Sequence, residues 1–442
     1  MKAKMKSGLA LLLFLFQPLA LMAEQNWTLA DCTRYAAEHN LQIQQARHST
    51  ESAEVDVKQS REALFPSLTF NTQQGVNFQK VEGQNIGSFD TNAKNPTYNG
   101  SYGLQANVTL YNGGANWRQL EQSKISQQAS QLEAEMTSNN IQVRIIEAYY
   151  QILYAHESVA TNLEIVAAAE RELERAKARQ QVGKVSQVEV TQMQSQLEQN
   201  RYQLVQAKNS EAQNILSLKQ LLQLSPDADF GVDYQSFGSD DVLKLIPSVT
   251  EVEEMAMNNL PNLRAAELQV KSSEMQVKIA KGGYLPTVSL NAGVSTNNGN
   301  ALSGGFGTQV KNHLTSQIGL SVSVPIYDRR QTRSQVDKAK IQLANQELEA
   351  ENTRLELQNT LSTLHLDIEA AQARYRSAVA SEESARQTLE IMDERYGVGL
   401  ESMLDLLTEK NNYLKARQET LQSKFTALLN LEILDFYTGN NK

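Results

Sequence analysis

Residues 101–111, SYGLQANVTLY, alternate without a break: Tyr102, Leu104, Ala106, Val108 and Leu110 fall on one side, and Ser101, Gly103, Gln105, Asn107 and Thr109 on the other. A period of two is the signature of a strand with unlike faces. Three more segments repeat it. In 67–78 the apolar side carries Leu68, Phe70, Val76 and Phe78; in 287–296 it carries Val288, Leu290, Ala292 and Val294; in 316–326 it carries Ile318, Leu320, Val322, Val324 and Ile326. Strands of about ten residues cross an outer membrane when tilted, with the apolar face on lipid and the polar face on a lumen. A soluble sheet with one wet face is the competing reading. In lipid, four strands cannot close a barrel, and an open edge leaves backbone groups unpaired at several kcal/mol each. Copies must therefore pool strands: two give about eight and three about twelve, and a wide polar lumen favours three.

Outward from the strands, the second half of the chain echoes the first. Leu64-Phe65-Pro66-Ser67-Leu68 matches Tyr284-Leu285-Pro286-Thr287-Val288, and Val182-Gly183-Lys184-Val185-Ser186 matches Val398-Gly399-Leu400-Glu401-Ser402. The hydroxyl caps Thr28 and Ser248, each followed three residues on by an acid, open the two copies. Residues 24–247 form repeat 1: helix 28–63, strands 67–78 and 101–111, long helix 113–181, return helix 187–224 and a connector at 225–247. Residues 248–442 form repeat 2: helix 250–281, strands 287–296 and 316–326, long helix 329–396 and return helix 402–437. Neither glycine nor proline interrupts 115–182 or 331–396, so each can be one helix of about 100 Å. Leu400, Leu407, Leu414, Leu421 and Leu428 recur at sevenfold spacing on the last helix, as in a coiled-coil seam. The inter-strand stretches 79–100 and 297–315, rich in Asn, Gly, Ser and Thr, are long loops on one side. The fold class is an α+β membrane protein with a two-fold internal repeat: four transmembrane strands per subunit in a shared barrel, and long antiparallel coiled-coil hairpins forming a tunnel.

Residues 1–23 read as a secretory signal peptide, with Lys2, Lys4 and Lys6 before an apolar run of about 13 residues, too short to span a bilayer. Without those lysines the formal net charge falls from −9 to about −12, which speaks against a nucleic-acid partner. Cys32, the only cysteine, has no internal partner and reads as a small buried thiol. The five histidines lack ligand spacing and no phosphate-binding glycine loop is present, so neither an enzyme nor a cofactor is expected and export energy must come from a partner. Trp27 and Trp117 read as packing anchors.

Arg395-Tyr396-Gly397-Val398-Gly399-Leu400-Glu401-Ser402-Met403-Leu404-Asp405-Leu406-Leu407 resembles the second hairpin tip of the TolC-like outer-membrane efflux proteins, and 179–190 resembles the first. The resemblance covers essentially the whole mature chain. It implies a homotrimer with a twelve-strand barrel in the outer membrane of a Gram-negative bacterium and helices extending into the periplasm. The partners it implies are a periplasmic membrane-fusion adaptor and an inner-membrane transporter, the chain being the exit duct of a tripartite efflux or type I secretion system. Adaptor contact falls to Gly183, Lys184, Val185, Ser186, Gly399, Leu400, Glu401 and Ser402. Carried over position by position, the periplasmic gate comprises an aspartate ring at Asp405 and a link between Tyr396 and Glu189. The second ring acid is replaced by Thr408, and the family's other link, an arginine with a threonine, falls on Glu401 and Val188. Asp405 could equally be a solvated helix position, and Tyr396 could simply pack beside its turn. A passive porin and a periplasmic coiled-coil protein without a pore are the rival functions.

Overall fold

A computed structural model describes residues 26–78 and 97–439. The expected signal peptide lies outside the described residues, as does most of the first inter-strand loop. In chain order the elements are β1 (Asn26–Trp27), α1 (Leu29–His39), α2 (Leu41–Glu62), β2 (Ser67–Asn77), β3 (Thr97–Asn112), α3 (Ala115–Gln181) and α4 (Gln187–Leu221). There follow β4 (Gly231–Val232), α5 (Ser239–Val242), α6 (Val249–Asn259), α7 (Asn262–Gly282), β5 (Thr287–Gly299), α8 (Phe306–Asn312), β6 (Thr315–Ser323), α9 (Gln331–Gly397) and α10 (Met403–Thr438).

Four strands pair antiparallel in the order β2-β3-β5-β6, leaving β2 and β6 as free edges of an open sheet. The register aligns the alternation: Phe70 pairs with Leu104 and Leu104 with Val294, while Leu68, Ala106, Ala292 and Ile318 form the next row and Val108, Leu290 and Leu320 another. One face is thus apolar across every strand, because paired residues project to the same side. The opposite face is amide and hydroxyl: Ser67, Asn107 and Asn291 share a row, as do Thr69, Gln105, Gly293 and Gln317.

Beyond the earlier start of β3 at Thr97 and the later end of β5 at Gly299, two details at the helix-side ends depart from the expected strands. The pairing shifts between Thr109 and Tyr111, so Tyr111, not Leu110, stands opposite Val288 on the apolar face; a bulge of one residue inverts the alternation after it. β6 ends at Ser323, short of 326, where Pro325 has no N–H to give the ladder.

Among the described residues no helix is long and apolar enough to cross a membrane. α3 and α9 each run 67 residues unbroken, about 100 Å at 1.5 Å per residue. Near the sheet α3 packs with α2 and α7, and α9 with α7; farther away they pair with the return helices α4 and α10. Midway lies the main core, where Ile145 and Ile152 of α3, Leu218 of α4, Leu361 and Ile368 of α9, Val252 of α6 and Cys32 of α1 are fully enclosed. Each large apolar side chain buried there contributes about 1.5–3 kcal/mol. Burial also pushes the Cys32 thiol up to about 12, leaving almost no reactive thiolate at neutral pH. A second core, Val166, Leu173, Val190 and Leu197, holds α3 to α4 below it.

The expected single helices 28–63 and 250–281 are each two. Asn40 is extended at φ −67°, ψ 128°; its side-chain oxygen caps Gln42 and Ile43, and its Nδ2 donates to the Leu221 carbonyl at 2.8 Å. In the second copy Leu260, also extended, precedes Pro261, the backbone that proline imposes on the residue before it. The connector holds β4, which pairs in parallel with β1, and the short α5. The second inter-strand loop is built too: β5 extends to Gly299 and α8 follows. Trp27 packs on Tyr35 and Phe230, whereas Trp117 is 67% exposed and is no core anchor. It stands with Phe65, Tyr111, Tyr284 and Tyr327, all exposed around the helix-side end of the sheet, where a barrel places its aromatic girdle.

Candidate functional site

The candidate site is the pair of hairpin tips, about 100 Å from the sheet along α3 and α9. Both are built by the same local rules. Gly183 has φ +74° and Gly399 φ +83°, the left-handed conformation that glycine adopts without a Cβ penalty. Gly183 N donates to Gln180 O at 2.8 Å and Lys184 N to Arg179 O at 2.9 Å; Gly399 N to Tyr396 O at 3.0 Å and Leu400 N to Arg395 O at 2.9 Å repeat the pattern. These are two Schellman motifs, closing the last carbonyls of α3 and α9. Gly397, in contrast, is the last residue of α9 and has no positive φ.

Three residues beyond each glycine a serine opens the return helix. Glu189 N donates to Ser186 Oγ at 3.2 Å while Glu189 Oε1 accepts from Ser186 N at 3.4 Å, completing a capping box. Ser402 Oγ donates to Asp405 Oδ2 at 2.6 Å and accepts from Asp405 N at 3.2 Å. Glu189 and Asp405 therefore occupy the same position, N3 of the return helix, in the two repeats. A carboxylate there is favoured by the helix dipole in any protein.

Glu189 does a second thing. Its other oxygen, Oε2, accepts the Tyr396 hydroxyl at 2.9 Å, tying the end of α9 to the start of α4. Arg179 lies over the same ring at 5.5 Å from its centroid, a cation–π contact. Burial, followed by the hydrogen bond to Glu189 and the nearness of its charge, pushes the Tyr396 phenol up to about 12. Higher along the hairpins, Arg417 pairs with Glu164 at 2.6 Å and Lys410 pairs with Glu172, joining α10 to α3.

The structure thus brings Tyr396 and Glu189 together but leaves Asp405 apart, exposed and engaged with its own cap. Glu401, at the position of the family's arginine, pairs with Arg395 at 2.7 Å within its own tip; Val188 is exposed and takes no part in a polar link. Residue-by-residue reading missed Arg179 and Arg395, although their equivalence in the repeat was available as a signal. Lys184, Ser186, Gly399, Leu400 and Ser402 are exposed and Val185 is half-buried. Val182, Val188, Val398, Leu400 and Leu404 add exposed apolar side chains at the same end. The leucine row at sevenfold spacing is not the buried seam near the tip: Met403 and Leu406 are buried, while Leu400 is exposed and Leu407 and Leu414 are half-buried.

The family model described as outer membrane efflux protein matches twice, over residues 34–223 and 253–440. Among curated relatives, the outer membrane protein TolC of Vibrio cholerae serotype O1 is 24% identical over 435 residues, covering 95% of this chain and 92% of its own. The alkaline protease secretion protein AprF of Pseudomonas aeruginosa is 21% identical over 418 residues, covering 93% and 84%. Among solved structures, the outer membrane protein VceC of Vibrio cholerae superposes with a TM-score of 0.77 at 16% identity over 93% of this chain and 96% of its own. With the family model covering most of both repeats, this chain belongs to the outer membrane efflux protein family.

Proposed function

We propose that three copies of this chain close one twelve-strand barrel in the outer membrane and a helical tunnel beneath it, through which substrates delivered by an inner-membrane transporter and a periplasmic adaptor leave the cell. The observation that carries this reading is the apolar face kept in register across all four strands of a sheet with open edges, since lipid on that face demands a closed cylinder. The chain supplies no energy and no chemistry, only a path. Purified protein in planar bilayers tests it: a duct of this kind is mostly closed until its tips are disturbed, whereas steady open conductance would indicate a passive porin.

The tips are the adaptor-docking end, and the Tyr396–Glu189 link is a closing contact of the tunnel. A hydrogen bond to a charged acceptor is worth about 1.5–3 kcal/mol, more when breaking it strands a partner. Tyr396→Phe is expected to lower the minimum inhibitory concentration of bulky antibiotics that the closed duct excludes; wild-type tightness would remove the link from the gate. The phenol's raised pKa adds a pH signature. The link contributes fully below the ordinary tyrosine pKa of about 10 and is lost as pH rises through about 12. Wild-type channels should open over that interval and Tyr396→Phe channels should already be open below it.

Asp405, repeated three times about the axis, forms an acidic constriction, and charged rings of this kind select cations. Asp405→Asn keeps an acceptor for Ser402 but removes the charge. It is expected to bring the reversal potential in a KCl gradient close to zero and to raise conductance. Unchanged selectivity would leave Asp405 as a helix cap alone.

A further inference from the structure

The described barrel region, residues 67–78, 97–112 and 287–327, contains one formally charged side chain, Lys311. It lies on α8, in the loop between β5 and β6, at the end of the sheet opposite the long helices. α8 does not hang free. Thr296 Oγ1 donates to the Val310 carbonyl at 2.7 Å. Gln309 is buried beneath the loop, its Nε2 donating to the Leu302 and Gly304 carbonyls at 2.8 Å each and its Oε1 accepting from Gly299 N at 3.0 Å. The Phe306 ring stands edge-on to Tyr102, centroids 6.1 Å apart and planes at 86°.

The register says which side of the sheet this is. Tyr102 pairs with Thr296, one step along from the pair Leu104–Val294, so the two strand side chains that touch α8 project from the apolar face. One step further that face turns polar, with Gly100 opposite Gln74 and Asn298. α8 therefore sits outside the barrel wall at the upper limit of the apolar band, the depth of headgroups. The exposed side chains of α8 and of the residues just after it fit that depth: Phe306 is 58% exposed, Leu314 is 62% exposed, and Lys311 is exposed with no ion pair among the described residues. An aromatic ring at the interface with a lysine above it is how proteins hold to an anionic leaflet.

We propose that α8 is an interfacial anchor, seated in the outer leaflet with Phe306 at the acyl boundary and the Lys311 ammonium on the phosphate of a phosphorylated glycolipid headgroup. The occupant is lipid because the element is held on the lipid-facing side, and it is anionic because the one formal charge among the described residues at that end of the sheet is positive. This rests on the barrel reading, and the test separates the two. Trimers reconstituted in phosphatidylcholine nanodiscs with diphosphoryl lipid A carry an environment-sensitive fluorophore at Gly307→Cys or at Leu290→Cys, with the enclosed Cys32 left in place. Leu290→Cys reports lipid if the barrel reading holds, whatever α8 does. Gly307→Cys is expected to be quenched by headgroup-labelled lipid and protected from aqueous iodide; iodide quenching with Leu290→Cys still in lipid overturns the anchor. Detergent-solubilised Lys311→Gln trimers should bind fluorescent diphosphoryl lipid A about fivefold more weakly than wild type and the dephosphorylated lipid equally. Equal affinity of both proteins for the diphosphoryl form overturns the phosphate contact.

Discussion

Leu290→Arg is expected to abolish the assembled trimer, leaving the protein absent from the outer-membrane fraction and without a detergent-resistant band. Leu290 lies near the middle of the apolar face, paired with Val108 on one side and Leu320 on the other. An arginine facing lipid near the midplane costs about 2–4 kcal/mol, and three-fold symmetry installs it three times, so the assembly loses about 6–12 kcal/mol. That equals the whole stability of an ordinary domain. The neighbouring Asn291 pairs with Asn107 on the polar face, so Asn291→Arg should assemble normally and alter only ion flow. The contrast between adjacent residues carries the argument: a general dislike of arginine in strands would affect both. Normal assembly of Leu290→Arg would mean that lipid does not touch this face.

Much of this was legible because it depends on local periodicity. Alternation in 101–111 and the absence of glycine and proline in 115–182 are properties of neighbours in sequence, and the strands and long helices follow from them. The tips were legible for the same reason: a glycine and then a serine three residues on specify a Schellman end and an N-cap wherever they occur. What was not legible depends on partners distant in sequence. Asn40 breaks its helix with help from the Leu221 carbonyl, 181 residues away. The bulge at Leu110 exists only relative to β5. α8 is fixed by contacts with Thr296 and Tyr102 at the far end of the two inner strands, and a stretch of Asn, Gly and Ser gives no hint of them. The capping role of Glu189 and Asp405 was readable from position, yet the Tyr396–Glu189 bond spans 207 residues, and only the family resemblance pointed to it.

Leu400→Asp combined with Leu404→Asp is expected to reduce drug resistance to the level of a strain lacking the gene while leaving the amount of assembled trimer unchanged. Leu400 and Leu404 are 70% and 67% exposed, on either side of Ser402 at the far end of the hairpin. Scattered exposed leucines are ordinary. Here they gather with Val182, Val188 and Val398 around two turns whose own residues are at most half-buried, and a cluster of that kind marks a contact surface. The buried side chains that hold the turn, Met403 and Leu406, are untouched, and the Ser402 cap remains, so the tip keeps its shape. If the cluster docks the adaptor, central apolar contacts contribute about 2 kcal/mol each, so two charges placed there weaken docking by about 4 kcal/mol, roughly 1000-fold. Pore conductance in bilayers, measured without any adaptor, should be that of wild type. Retained resistance would place docking elsewhere on the hairpins. Lost resistance with a permanently open pore would instead assign these leucines to closure, because adaptor affinity and resting conductance are separate measurements and only the first should move.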